Sequence, residues 1–516
     1  MLCGLMRWFA CLLLVVLGGA ACGGDGSPRD GASDCCAETR GEAPQAPDAG
    51  AEGVAEPRPE PTVEPGLEIA AEPTVEPPSE PAAEPAPEPL PEPAAELPPD
   101  AAAEPPPEPA AEPPPDAGVD VGAEAEVAPP PGCEAVGGEI RLTNSAGTSQ
   151  GPAIFWDGTA YVVAWADART GNGDIYAVRV GAGGAKLGAD NLVVAGAPET
   201  RGVAIAPAAS GGGSLIVWEE LDLGPSVSVN GRPLGADATA SGAQAGIATT
   251  MTDEARPQLV GALGAVYAGW MDVLAGGSAD AGSADAGSDA VGGGPPVAAS
   301  MIAKLGATGA VAAPPASIRL GGGAPTRFPY LASNATRLAI AYTEGDDGAQ
   351  KIRLGIFDGA LVLQRDVVIR DLPSSAWNPS VAWDGARWVV AWEDLRSGAE
   401  RVFFAAVAED GTVSVPQPLH PTSLGDGNWP AVASDGTSSV VAYYAFPAGA
   451  EVLVAMIGAD GSKRGGDVRV SSSLGSARFP AIAYSGSSAG AAEYGVVWQD
   501  TRFGETEIMF ARVACR

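Results

Sequence analysis

The chain has 516 residues and a formal net charge of −35, of which residues 23–132 carry −23 and residues 133–516 carry −13. A polypeptide this acidic, with no basic stripe, is repelled by phosphate backbones and anionic headgroups, which argues against nucleic-acid binding and electrostatic membrane adhesion. One histidine, His420, and no Cys-x-x-Cys pair leave almost no raw material for a zinc site.

At the N-terminus, Arg7 precedes an apolar run from Trp8 to Leu17, followed by Gly18-Gly19-Ala20-Ala21 and Cys22. This is the layout of a secretory signal, and the run is too short to span a bilayer as a helix. It resembles a bacterial lipoprotein signal, in which the residue after the cut is a cysteine that receives lipid. The resemblance implies a signal peptide over residues 1–21, lipidation at Cys22 and anchoring at the outer membrane, facing the surface or the periplasm, with that lipid as the only membrane attachment. Gly19 stands where the family usually has leucine, and Gly19 and Ala21 equally suit an ordinary signal peptidase, so a soluble secreted protein is the alternative. The remaining cysteines of an exported chain are expected to be bridged; Cys35 and Cys36 receive no assignment.

Residues 22–132 form the next segment. From Asp48 to Glu124 an acidic residue falls on every fourth position, with proline and alanine between. Proline at nearly every repeat forbids the helix that this spacing would otherwise suggest, because each ring removes a backbone donor and clashes with the preceding turn. With almost nothing to bury, the segment is expected to be a disordered, extended Pro/Glu/Ala-rich stalk of polyproline II character. Neighbouring charges then lie about 12 Å apart, near the screening length at physiological salt.

Past residue 133 a self-similar unit appears. Asn378-Pro-Ser-Val-Ala-Trp-Asp-Gly-Ala-Arg-Trp-Val-Val-Ala-Trp-Glu-Asp-Leu-Arg396 matches residues 151–169 almost position for position, and weaker copies begin near Val203, Pro257, Pro329, Pro430 and Pro480. The period is close to 50 residues, except where an Asp/Ser/Gly-rich insert over 275–297 lengthens one unit. Each unit reads as four short strands. Phe479–Tyr484 typifies the first, Tyr161–Trp165 the second, Asp174–Val180 the third and Asp467–Ser471 the fourth, with Asp-Gly hairpin turns at Asp157-Gly158, Asp384-Gly385 and Asp435-Gly436. Four antiparallel strands recurring at this period describe the blades of an all-β, seven-bladed β-propeller over residues 133–516. The seventh unit ends at Arg516 after three strands, and Gly137–Asn144 mirrors the fourth-strand sequence Gly465–Ser472. An N-terminal strand is therefore expected to complete the last blade, a 3+1 closure that removes sheet edges and brings Cys133 beside Cys515 as a disulfide.

The recurring Trp-x-Asp-x-Arg is complete at Trp165/Asp167/Arg169, Trp392/Asp394/Arg396 and Trp498/Asp500/Arg502, and decays at Trp218/Glu220, Trp270/Asp272, Tyr342/Glu344 and Tyr443. Here the chain resembles the Tyr-Val-Val-x-Trp-x-Asp-x-Arg propeller repeats of bacterial envelope proteins, and more distantly TolB-like and sialidase-like propellers; the resemblance brings no catalytic motif, and the sialidase Asp-box is not evident. A structural role for the motif has the aromatic packed between sheets and the Asp–Arg pair bracing the turn after the second strand. A functional role has Asp167, Arg169, Asp394, Arg396, Asp500 and Arg502 forming a recognition surface, since strand alternation puts these turns on one face of the disc with the insert. The favoured reading is a surface-displayed, non-enzymatic binding or scaffold module for a glycan, protein or envelope component, monomeric and without a cofactor. The insert's acids offer at most weak calcium binding. The alternative is a sialidase-like or other carbohydrate-active hydrolase or lyase, because two of the domain's acids could meet across the channel.

Overall fold

A computed structural model describes residues 132–516 apart from 172, 197–198, 210, 222–225, 251, 253, 277–293, 313–316, 322–323, 448, 473–475 and 489. The expected signal peptide, Cys22, Cys35, Cys36 and the stalk lie outside the described residues. Seven four-stranded antiparallel sheets follow one another. Six are built from consecutive strands. Blade 1 comprises Ser149–Trp156, Ala160–Asp167, Asp174–Gly181 and Lys186–Val194, and blade 5 comprises Ala376–Trp383, Arg387–Asp394, Arg401–Ala408 and Gln417–Pro418. Blades 2, 3, 4 and 6 begin at Thr200, Gln258, Thr326 and Gly427. Blade 7 takes Ala477–Ser488, Ala491–Phe503 and Glu505–Cys515 from the C-terminus and its fourth strand, Cys133–Arg141, from the start of the domain.

The burial pattern explains why these sequences make blades. The second strand of blade 1, Ala160–Asp167, is buried along its whole length, whereas the fourth, Lys186–Val194, is buried only at Val193 and Val194. An inner strand packed on both faces must be apolar on both, which is why Tyr161-Val-Val-Ala-Trp165 reads as a continuous run. The buried side chains divide into seven clusters, each shared by two neighbouring blades. One of the seven, containing Tyr161, Val163 and Trp165 of blade 1 with Val497, Ile508 and Phe510 of blade 7, joins the first blade to the last. The ring is therefore closed by packing as well as by strand pairing, and a domain of this length needs no single large core.

At the closure Cys133 lies opposite Cys515, and the two form the disulfide. Gly132 and Arg516 exchange backbone hydrogen bonds of 3.0 and 2.9 Å just beyond it. Arg141 pairs with the buried Glu507 at 2.6 Å, and Arg502 with Glu139 at 2.8 Å, so the closing strand is tied by charge at its other end.

Some strand limits differ from the sequence expectation. The fourth strand of blade 6 runs Lys463–Arg469, earlier than Asp467–Ser471. In blade 5 it shrinks to Gln417–Pro418, within a segment where Pro416, Pro418 and Pro421 remove ladder donors. In blade 3 the second and third strands, Ala265–Gly276 and Gly294–Leu305, continue as a two-stranded extension whose pairing reaches Gly276 opposite Gly294. Most of the insert, residues 277–293, lies outside the described residues, and with it the expected calcium ligands. Among the described residues no helix is long and apolar enough to cross a membrane.

Candidate binding site at the channel mouth

Alternating strand direction puts the end of every second strand, the start of every third and the start of every first strand on one face of the disc, while the Asp-Gly turns and the disulfide lie on the other. Each complete motif is a compact knot on the first of these faces. In blade 1 the Trp165 indole donates to Asp167 Oδ2 at 2.9 Å, the Arg169 backbone amide to Oδ1 at 2.9 Å, and the Arg169 guanidinium to both oxygens at 2.8 and 2.7 Å. Arg169 also lies 4.0 Å over the Tyr176 ring and pairs with Asp190 of the fourth strand at 3.0 Å. Blade 5 repeats this with Trp392, Asp394 and Arg396 over Phe403, adding the buried Arg370 from blade 4 at 3.1 Å. In blade 7, Trp498 and Arg502 meet Asp500, and Arg502 reaches Glu139 of the closing strand. Burial raises the carboxyls of Asp167 and Asp394, but donated hydrogen bonds outweigh it and hold both below the usual carboxylate range. Where the motif lacks its arginine, the indole nitrogens of Trp218 and Trp270 are buried without a hydrogen-bond partner.

The structure thus brings Asp and Arg together within each motif. The three carboxylates are fully buried and the three Arg side chains 21–24 % exposed; Arg169 reaches the third and fourth strands of blade 1, Arg396 the third strand of blade 5 and Arg502 the fourth strand of blade 7, all away from the central channel.

The channel itself is lined by the first strands, since those of successive blades adjoin. Near the start of six of them the ladder breaks its register, for example between Gln150 and Ala153 and between Trp377 and Ser380, and at or just before the start of all seven one residue adopts left-handed backbone geometry. The seven are Gly151, Gly202, Arg256, Phe328, Asn378, Trp429 and Phe479, with φ of 59, 56, 46, 56, 48, 53 and 53°. Glycine takes this conformation freely, as in blades 1 and 2; for the other five it costs about 1 kcal/mol or more each. Five neighbouring blades accept that strain to place Arg, Phe, Asn, Trp and Phe at one mouth of the channel.

The second-strand residue after the Trp, which sequence reading left unassigned, holds three of these kinks. Gln499 Oε1 accepts from the Gly151 amide at 3.0 Å, Glu219 Oε2 from Arg256 at 3.0 Å, and Glu393 Oε1 from Trp429 at 2.6 Å, each reaching into the following blade. Glu393 also accepts from Asn378 Nδ2 at 2.9 Å. Burial is the main influence on Glu393 and pushes its carboxyl up to about 7, while burial raises Glu219 against the pull of Arg201.

Arg256 occupies the centre of the mouth. From blade 3 it donates to Asn378 Oδ1 of blade 5 at 3.0 Å, lies 4.6 Å from the Phe328 ring of blade 4 and 4.9 Å from the Trp429 ring of blade 6, and pairs with Glu254 at 2.6 Å. Trp429 meets Phe479 of blade 7 edge-on at 4.9 Å, and Arg478 lies 5.5 Å from the Phe446 ring. Arg256 and these half-buried rings place a cation and apolar groups at one opening. His420, by contrast, is buried between blades 5 and 6 beside Tyr443, and burial lowers its basicity. Among the described residues no three His, Cys, Asp or Glu side chains are grouped to hold a metal ion.

No protein-family model matches the sequence, and no curated protein matches it. Among solved structures, the chain is similar to a protein of unknown function from Dyadobacter fermentans (11 % identity, TM-score 0.45, covering 75 % of this chain and all of that one). It is also similar to a neuraminidase-like protein of A/little yellow-shouldered bat/Guatemala (7 %, TM-score 0.38, 60 % and 92 %). A GH43_1 enzyme from Xanthomonas citri complexed with xylose aligns at 17 % identity and TM-score 0.31, over 54 % of this chain and 93 % of that one. These likenesses concern propeller architecture alone: the chain is a seven-bladed β-propeller with distant sialidase-like and GH43 neighbours.

Proposed function

We propose that the protein is a non-enzymatic binding module, displayed at the bacterial envelope, that takes an extracellular or envelope ligand at the channel mouth on the face of the Trp-x-Asp-x-Arg turns. The observation that carries this is the convergence of five strained, non-glycine residues from five blades, because strain of this kind persists where side-chain placement is used. Arg169, Arg396 and Arg502 lie on the same face but outside the mouth, held by Asp167, Asp394 and Asp500, as secondary contacts for a ligand that extends beyond the opening. Export and anchoring rest on the sequence from Arg7 to Cys22, with lipid at Cys22 and the outer membrane as destination; release as a soluble protein is the competing outcome, and labelling with a palmitate analogue separates the two.

A glycan and envelope-extract array probed with the mature protein tests the binding reading. Trp429→Gly is expected to abolish binding and the triple alanine variant of Arg169, Arg396 and Arg502 to weaken it; unchanged binding in Trp429→Gly moves the site elsewhere. A carbohydrate-active hydrolase is the second reading, favoured by the raised carboxyl of Glu393 beside the mouth. Its burial speaks against contact with substrate. Release of reducing ends from polysaccharides, abolished by Glu393→Gln with binding kept, would establish it.

A further inference from the structure

We propose that the ligand of the channel mouth is an acidic polysaccharide, whose uronate carboxylate meets the Arg256 guanidinium while the sugar ring stacks on Trp429 and its aromatic neighbours. This rests on the binding reading above and deepens it to a ligand class. Three features of the mouth converge on that chemistry.

The first is charge. The domain as a whole is acidic, yet Arg201, Arg327 and Arg478 lie one residue before the kinks of blades 2, 4 and 7, and Arg256 occupies the kink of blade 3. Of the carboxyls beside them, Glu393 is buried and pushed up to about 7, while Glu219 is paired with Arg201 at 2.7 Å and Glu254 with Arg256 at 2.6 Å, which leaves Arg327 and Arg478 as cations without a carboxylate partner among the described residues. An anion is repelled by most of the surface and drawn to this opening, where low-dielectric walls focus the field.

The second is shape. Arg256 lies 4.6 Å from the Phe328 ring and 4.9 Å from the Trp429 ring, with its Nε on Glu254 and its Nη1 donating to Asn378, so the guanidinium is fixed in place before a ligand carboxylate reaches it. The third is the mixture of lining groups. Trp429, Phe479 and Phe328 are half-buried aromatic side chains, a residue type that stacks on the C–H face of a pyranose, and Asn378 and Glu254 beside Arg256 add polar groups for its hydroxyls. An apolar bed with a few oriented polar groups is the usual build of a small-ligand site.

Titration of the full mature protein with oligogalacturonate and alginate oligosaccharides, against methyl-esterified oligogalacturonate and a polyglutamate peptide, tests the proposal. Binding of the free uronates is expected to weaken about tenfold or more on esterification, in Arg256→Gln, and between low and high salt. Trp429→Gly should also lose it while melting as the wild type does, because Gly151 and Gly202 show that glycine serves at this position. If neither uronate binds, or if the ester binds as well as the acid, the acidic-sugar assignment is wrong. Should a neutral glycan instead depend on Trp429, the mouth remains the site and only the ligand class falls. Binding of polyglutamate without the uronates replaces the sugar with an acidic peptide and likewise overturns the proposal.

Discussion

Replacing Asp394 with alanine should cost distinctly more stability than the same change at Asp167, although the two occupy the same place in the same motif. In blade 1 the main charged partner, Arg169, is 23 % exposed and keeps Asp190 when Asp167 is removed. The loss is that of charged hydrogen bonds with a route to solvent, about 2 kcal/mol. In blade 5 the carboxylate also neutralises Arg370, whose side chain is 1 % exposed and whose guanidinium is pinned by the carbonyls of Gln350, Leu372 and Ser374 at 2.5, 2.9 and 2.7 Å. Those bonds keep the cation inside, and an uncompensated buried charge costs about 3–5 kcal/mol. Urea unfolding of the oxidised protein, followed by fluorescence of its buried tryptophans, should therefore show Asp394→Ala losing roughly 2 kcal/mol more than Asp167→Ala. Adding Arg370→Met to Asp394→Ala should recover most of that difference. Equal losses in the two single variants, or a double variant no better than Asp394→Ala, would refute the account of a trapped charge.

Other consequences can be measured alongside. The Glu393 carboxyl titrates at about 7 in the folded protein, above its ordinary value of 4.5. Between those values the folded state binds more protons, so stability falls as pH rises through this window; Glu393→Gln should flatten the fall and gain on the order of 2–3 kcal/mol at pH 8 relative to pH 4.5. Cys133→Ser should lower the unfolding free energy by up to about 6 kcal/mol in the loop-entropy account of a bridge spanning 382 residues, while the strand pairing of Cys133–Arg141 persists in hydrogen exchange. Phe328→Gly should keep the fold, since strain relief offsets lost packing; a collapse of cooperative unfolding would contradict the kink description.

Much of the architecture is legible in the sequence because it rests on features that repeat. A period near 50, the Asp-Gly turns and the continuous apolar second strand each recur often enough to be recognised, and the incomplete seventh unit announces the closure and its Cys133–Cys515 bond. The channel-mouth residues are not legible in the same way. Proline follows six of the seven kinks, at 152, 257, 329, 379, 430 and 480, and that recurrence was the available signal. A residue before proline is normally pushed to extended geometry, so local preference points away from the left-handed backbone that Arg256, Asn378 and Trp429 adopt. At Gly151, Arg256 and Trp429 an acceptor contributed by the preceding blade supports that backbone, and Gln499, Glu219 and Glu393 are spelled differently enough to hide the shared role. The short fourth strand of blade 5 escapes for a simpler reason: its exposed residues, Gln417 and Pro418, carry no apolar pattern.

The closing strand has a mechanical consequence. Any pull transmitted along the chain toward Gly132 arrives first at Cys133, the terminal residue of that strand. Without the covalent link the force would peel Cys133–Arg141 from Glu505–Cys515 like a zip, rupturing one hydrogen bond after another. With it, the load passes directly into Cys515 and is shared by the hairpin behind it, so a pull from the N-terminal side must work against a whole blade at once.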